Sequence, residues 1–194
     1  SIGGAIINNT IASNSYSIRF NFESAGNIMY ALSKATNIRK NSDGEYAILG
    51  IPYAQYVKGE FDFSKNIRID HRNSFAFHIG MGIAVPYGNA KTIPFEKQYF
   101  SGGANSVRGW TVRDLGPGSF VRDENTNLLD QSGDIKLDAS IEYRSKLFWK
   151  FQGAIFVDAG NIWTIRDYDN QPGGVFKFDK FYKQIAVAYG LGLR

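Results

Sequence analysis

The 194-residue chain carries 22 basic and 18 acidic side chains scattered along its length, a net charge of +4, with 15% aromatic residues, 21 glycines and no cysteine. Scattered charge excludes the basic tract that grips a phosphate backbone, so nucleic acid is not an expected partner. The missing cysteines exclude disulfides, thiol catalysis and Cys-ligated metal together.

Aromatic and glycine-rich composition favours strands and turns, so the expected class is all-β. No apolar run reaches the ~18 residues of a membrane helix. A mean hydropathy of −0.27 does not exclude a membrane, because a transmembrane barrel hides its apolar residues at alternate positions. The chain opens without an initiating methionine or basic leader, which reads as a mature protein, a domain or an internal fragment.

In chain order, Gly3 to Asn9 is a candidate first strand. Tyr16, Ile18, Phe20 and Phe22 then alternate with Ser15, Ser17, Arg19, Asn21 and Glu23. Two further strands are expected over Glu45 to Lys58 and Glu60 to Asp70, with turns at Asp43-Gly44 and Lys58-Gly59. Phe75, Phe77, Ile79, Met81, Ile83 and Val85 oppose Ser74, Ala76, His78, Gly80, Gly82 and Ala84. From Gly133 to Lys146 the apolar set is Ile135, Leu137, Ala139, Ile141 and Tyr143, facing away from Lys136, Asp138, Ser140, Glu142 and Arg144. After a turn at Ser145-Lys146, Trp149, Phe151, Gly153, Ile155 and Val157 oppose Lys150, Gln152, Ala154, Phe156 and Asp158. Past Pro172-Gly173-Gly174, Ile185 to Leu193 alternates again and stops in mid-pattern, so further strands are expected at both ends.

Strands this long exceed the usual ~5 to 6 residues and match the ~9 to 11 needed to cross a bilayer at a tilt. One face would meet lipid and the other a wet lumen. Alternation alone leaves a soluble sandwich or lipocalin-like barrel open.

Between Phe100 and Gly118 the alternation fails. Gly102, Gly103, Gly109, Gly116, Pro117 and Gly118 surround a single arginine, Arg108, while Val107, Trp110, Val112 and Leu115 supply packing surface. This reads as an ordered loop rather than a strand or helix. An arginine on such a loop needs a carboxylate partner, and Glu142 and Asp158 lie on the charged face of two consecutive strands. In a narrow lumen they would form a charge-assisted clamp with Arg108; the alternative is an exposed loop arginine in water, against which the flanking glycines and apolar anchors weigh.

Enzymatic chemistry finds no support in the sequence. The two histidines, His71 and His78, read as strand-end and lumen or loop residues rather than a metal pair. No serine sits in Gly-x-Ser-x-Gly, and no phosphate-cradling loop is present. Asp167 with Asp169, and Asp123 with Glu124, read as solvated surface, with Ca²⁺ the alternative. No catalytic residue, metal or cofactor is expected.

Val107-Arg108-Gly109-Trp110, with Phe100-Ser101-Gly102-Gly103 before it and Leu115-Gly116-Pro117-Gly118 after it, resembles the Val-Arg-Gly-Phe/Tyr loop of the BamA-type outer-membrane insertase superfamily. Glu142 within Ala139 to Arg144, and Phe156-Val157-Asp158-Ala159-Gly160-Asn161, resemble that family's strand glutamate and Phe-x-Asp-x-Gly motif. The resemblance implies that residues 1-194 form part of one transmembrane antiparallel β-barrel domain, the second half of a sixteen-stranded barrel. It implies a loop over about 96-132 folded into the lumen, with Arg108 held by Glu142 and Asp158. Trp110 departs mildly from the usual Phe or Tyr and keeps a packing role.

It further implies an outer-membrane location, Gram-negative or organellar, and periplasmic POTRA domains ahead of the barrel, which this sequence does not contain. The implied partners are the lipid bilayer, client outer-membrane proteins and accessory assembly subunits. Members insert clients without ATP or a covalent step, by pairing them with a strand edge exposed at a seam that lies outside this chain. A two-partner secretion pore of the same superfamily, or a barrel anchoring an enzymatic domain, are the alternatives.

Overall fold

The computed structural model describes residues 4–11, 14–36, 38, 40–41, 44–48, 51–104, 106–121, 130–148 and 151–193, with side chains from residue 14 onward except that of Ile48. Asp43, Asp123, Glu124, Trp149 and Lys150 lie outside the described residues.

Among the described residues, nine strands and one α-helix run in the order β1 (Gly4–Ile11), β2 (Asn14–Ala25), α1 (Asn27–Ala35), β3 (Ala47–Ile48), β4 (Ile51–Pro52), β5 (Tyr56–Arg68), β6 (Asn73–Pro86), β7 (Ile135–Lys146), β8 (Gln152–Trp163) and β9 (Ala186–Leu193). Seven of them form one open antiparallel sheet in the order β1-β2-β5-β6-β7-β8-β9, and β3 pairs only with β4. Every pairing in the large sheet is between strands consecutive along the chain once the small β3–β4 hairpin is set aside. Such a meander builds a barrel wall from local connections.

The strands form where Phe, Ile, Val and Tyr recur at every second position, and the register keeps those residues in common rows. Phe20, Phe61, Met81 and Leu137 share one row across β2, β5, β6 and β7. Ile79, Met81, Ile83, Ile141, Val157, Tyr189 and Leu191 on this outer face are exposed. The inner face carries Glu60, Asp62, His78, Asp138, Glu142 and Asp158, of which Asp138, Glu142 and Asp158 are buried. Apolar side out and charged side in is the arrangement of a wall standing between lipid and a polar interior.

The strands expected from the sequence stand close to their expected bounds, with two corrections: the turn expected at Ser145-Lys146 lies within β7, opposite Gly153 and Gln152, and the stretch before β5 is rearranged. The segment read as Glu45 to Lys58 is not a long strand, and Lys58-Gly59 is not a turn. β5 runs unbroken through both residues, with Lys58 opposite Ala84 and Gly59 opposite Ile83. The true turn lies at residues 69–72, where the Asp70 carboxylate accepts from the backbone N–H of Arg72 at 2.7 Å and of Asn73 at 2.8 Å. Ahead of β5 sits α1, a nine-residue helix with Ile28, Met29 and Leu32 exposed. It starts at Gly26 in the left-handed region, without a side-chain cap or an acidic first turn, so the usual start signals are missing.

The inner face is covered by the β6–β7 connection. The Tyr99 ring lies over Gly82, where an added Cβ would meet it at 2.5 Å. Tyr99 packs with Tyr56, Ala84, Ile93 and Ile162 into a buried cluster. Lys97 and Tyr56 both donate to the Glu23 carboxylate at 2.7 Å, joining this connection to β2 and β5.

The two faces make opposite predictions. Ile141→Lys at mid-strand on the outer face should lower unfolding free energy in lipid vesicles by about 2–4 kcal/mol. Asn66→Lys on the inner face should shift it by no more than about 0.5 kcal/mol. Urea unfolding followed by heat-modifiable migration reads both, and equal effects would contradict the assignment of faces.

Candidate functional site

The register of β7, β8 and β9 prepares the site before any loop arrives. Glu142 lies opposite Phe156, and Phe156 opposite Gly190. One row along, Ser140 lies opposite Asp158, and Asp158 opposite Ala188. Glu142 and Asp158 are therefore diagonal neighbours on the inner face, close enough for one side chain to bridge.

Arg108 is that bridge. Its Nε and Nη2 donate to the two Asp158 oxygens, each at 2.7 Å, and its Nη1 donates to Glu142 Oε2 at 2.6 Å. The Arg108 backbone N–H also reaches Asp158 Oδ2 at 3.1 Å. The guanidinium carbon lies 3.5 Å from the centre of the Phe156 ring, so a face of the fork stacks on the aromatic. A planar, permanently charged group with fixed donor directions meets all three demands at once, which a lysine cannot. Hydrogen bonds from Arg108 to Asp158, then to Glu142, drive its pKa further above the ordinary guanidinium range, outweighing its partial burial.

Small residues make the space. An added Cβ on Gly190 would meet the Phe156 ring at 2.7 Å, and one on Gly109 would meet the Ala188 Cβ at 2.7 Å. Val107 is fully buried against Leu115 and Ala188, with Trp110 packed on the same cluster. Gly102, Gly103, Gly116 and Gly118 all have positive φ, between 55° and 94°. The Asn161 amide donates to Gly118 O at 2.9 Å and to Gln184 O at 2.5 Å, tying the loop to the approach to β9.

Arg108, Glu142, Asp158, Phe156, Val107, Gly109 and Trp110 are thus brought into one neighbourhood. Gly102 and Gly103 lie beside Thr111 and Val112, and Gly116 and Gly118 lie against the end of β8 and the β8–β9 connection. His71 falls in the β5–β6 turn, and His78 lies on the inner face, 3.4 Å from Asp62 and 3.6 Å from Asp138. Asp167 and Asp169 are exposed.

Sequence reasoning missed three partners. Arg144 donates through Nε to Glu142 Oε1 at 2.7 Å, so two cations answer two carboxylates. Its position two residues from Glu142 on the same strand face was the available signal. Gly190 and Ala188 are small residues within the alternating Ile185 to Leu193 segment, with no local signal beyond their size. Their role as recesses needs the cross-strand register.

An open antiparallel wall, apolar outside and charged inside, with a loop clamped across its inner face, is part of a transmembrane β-barrel. The Omp85 superfamily domain matches residues 8–194, and the chain belongs to that superfamily. Over 99 residues it is 35% identical to the outer membrane protein assembly factor BamA of Neisseria meningitidis serogroup B (strain ATCC BAA-335 / MC58), covering 46% of this chain and 12% of that protein. Its fold is similar to the crystal structure of BamA from Haemophilus ducreyi lacking POTRA domains 1-3, with a TM-score of 0.54 and 18% identity over 93% of this chain and 45% of that one. At that identity the likeness concerns the fold alone. The chain spans less than half the length of either relative.

Removing Arg108 leaves two buried carboxylates facing each other. Arg108→Ala should therefore lower stability by about 3–5 kcal/mol. Arg108→Lys should restore only part of it, because the fork is lost. Unfolding midpoints equal to that of the native protein would dismiss the clamp.

Asp134, at the loop's exit into β7, is wholly buried and accepts from the Ile165 N–H at 3.0 Å. Burial, the dominant cause, raises its pKa above the ordinary carboxylate value. The folded state then holds its proton to higher pH than the unfolded state, so this group's contribution to stability declines as pH rises through the carboxylate range. The stability of Asp134→Asn relative to the native protein should grow from pH 3 to pH 7, and a flat difference would contradict it.

Proposed function

We propose that the chain forms part of the barrel of an outer-membrane assembly factor that folds and inserts client outer-membrane proteins. The observation that carries this reading is the Arg108 fork on Asp158 and Glu142, in a chain of the Omp85 superfamily related to a protein named for outer-membrane protein assembly. The location proposed is the outer membrane of a Gram-negative cell envelope, with lipids, unfolded clients and accessory assembly subunits as partners.

In this reading Arg108, Glu142 and Asp158 form a structural latch and none of them is catalytic. Insertion needs no bond to be made or broken in the client. It needs a barrel wall that stays in register while a client strand exchanges water for backbone hydrogen bonds. A loop held inside the barrel by a charge cluster supplies that rigidity, because each member is buried or half-buried and any slip strands a charge. The neighbouring Phe156 ring and the Val107, Leu115 and Ala188 cluster keep water from competing for the fork.

Depletion of the full-length protein, with complementation by variants, tests the proposal. Broad loss of outer-membrane proteins is expected on depletion, with poor rescue by Arg108→Ala and by a Glu142→Gln, Asp158→Asn double variant present at normal levels. Loss of one dedicated secreted substrate, with outer-membrane proteins intact, would overturn it in favour of a secretion pore. Full rescue by both variants would remove the latch from the mechanism.

A further inference from the structure

On the outer face, the row that should be continuously apolar has a gap. Gly59 stands opposite Ile83 on β6 and Phe22 on β2, among large side chains. Neither a positive φ nor a close neighbour explains it, since an added Cβ would meet only the Ile83 side chain, at 4.0 Å. Gly59 instead forms part of the wall of a notch of about 440 Å³, whose lining is almost wholly carbon, Phe20, Phe61, Met81, Ile83 and Leu137 among it. That volume lies within the ~300–1,000 Å³ of sites that hold small ligands.

The notch has a lid on one side only. The β8–β9 connection folds back so that Phe176 and Phe181 line it beside Trp163. The Phe176 N–H donates to Thr164 O at 2.9 Å, and Trp163 Nε1 donates to Gln184 Oε1 at 2.8 Å. Phe176 and Phe181 lie 5.5 and 6.3 Å from the Trp163 ring, edge to face. The lid is therefore fixed to the strand end.

The same short segment carries charge. Lys177, Lys180 and Lys183 alternate with the lid aromatics, all three exposed, against one acidic residue, Asp179. The Phe181 N–H donates to Lys177 O at 2.8 Å and the Lys183 N–H to Lys180 O at 3.0 Å, which folds residues 177–183 into compact turns around the lid residue Phe181.

An apolar recess without polar partners does not hold water. Left empty, it forfeits the dispersion contacts of its lining. We propose that it is a specific lipid site. One acyl chain of a phosphate-bearing lipid lies on Gly59 beneath Phe176 and Phe181, and the phosphate is held by Lys177, Lys180 and Lys183. The inference rests on the transmembrane reading of the outer face and goes beyond it, because a uniform wall would give every surrounding lipid the same contact.

Trp163 lines the notch and reports its occupant. The full-length protein is placed in mixed phosphatidylcholine and phosphatidylglycerol vesicles with one lipid brominated on its acyl chain, and the Trp163 signal is taken as the difference from a Trp163→Phe variant. Brominated phosphatidylglycerol should quench Trp163 at a lower mole fraction than brominated phosphatidylcholine. The Lys177→Gln, Lys180→Gln, Lys183→Gln variant should lose that preference, by about fivefold per lysine, while quenching by phosphatidylcholine persists. Gly59→Leu should reduce quenching by both, with Gly59→Ala as a milder variant and heat-modifiable migration checking that each folds.

Equal quenching by the two lipids in the native protein would mean an ordinary lipid boundary and overturn the proposal. So would a preference that survives loss of the lysines, or quenching unchanged by filling the notch. No quenching by either lipid would instead remove the membrane contact on which the inference stands.

Discussion

Two carboxylates on adjacent strands, both buried and diagonal to each other, are a repulsive pair until something cationic sits between them. That constraint orders much of this structure. The bridging group must reach two acids from one side and stay charged after losing most of its water, which selects arginine. The loop must bring Arg108 in along its backbone as well, since its own N–H completes the Asp158 contact. Gly109 and Ala188 then have to be small, and Gly190 has to leave room for the ring on which the guanidinium stacks. Arg144 on the far side of Glu142 balances the count of charges.

A second constraint acts on the whole sheet. Backbone groups in a bilayer must be paired, and adjacent side chains on a strand face two different solvents. Hence the period-two pattern runs through most of a strand's length, as in Phe75 to Val85 of β6 and Ile135 to Tyr143 of β7. These strands were legible because the alternation repeats local chemistry that no distant contact needs to explain. Glu142 and Asp158 were legible for the same reason, as acids on the face where acids belong.

What escaped the sequence depended on distant contacts or on ambiguous local signals. Gly59 follows a lysine and precedes a glutamate, so Lys58-Gly59-Glu60 looked like a turn. In the folded chain Lys58 points inward, donates to Lys97 O at 3.1 Å and lies 4.3 Å from the Tyr99 ring centre. No feature of the local sequence announces those partners. Helix α1 was hidden because it is short and lacks both a capping side chain and an acidic first turn. Glycines at 82, 109 and 190 share a residue type but serve different neighbours, and only the register separates them.

The β6–β7 connection does more than fill the interior. Through Lys97 it reaches Glu23 on β2, through Tyr99 it packs on Gly82 of β6 and donates to Gly59 O of β5, and through Arg108 it holds β7 and β8. Gly109 against Ala188 extends the chain of contacts to β9. One connection thus crosses six strands, and the hydrogen bonds between neighbouring strands no longer have to set the shape of the wall alone. Sheet hydrogen bonds fix spacing but permit changes of twist, whereas a strap anchored by charge at one end and by a lysine–carboxylate pair at the other resists them. For the assembly function proposed above this division matters, because part of the wall is held from within while a client strand pairs elsewhere.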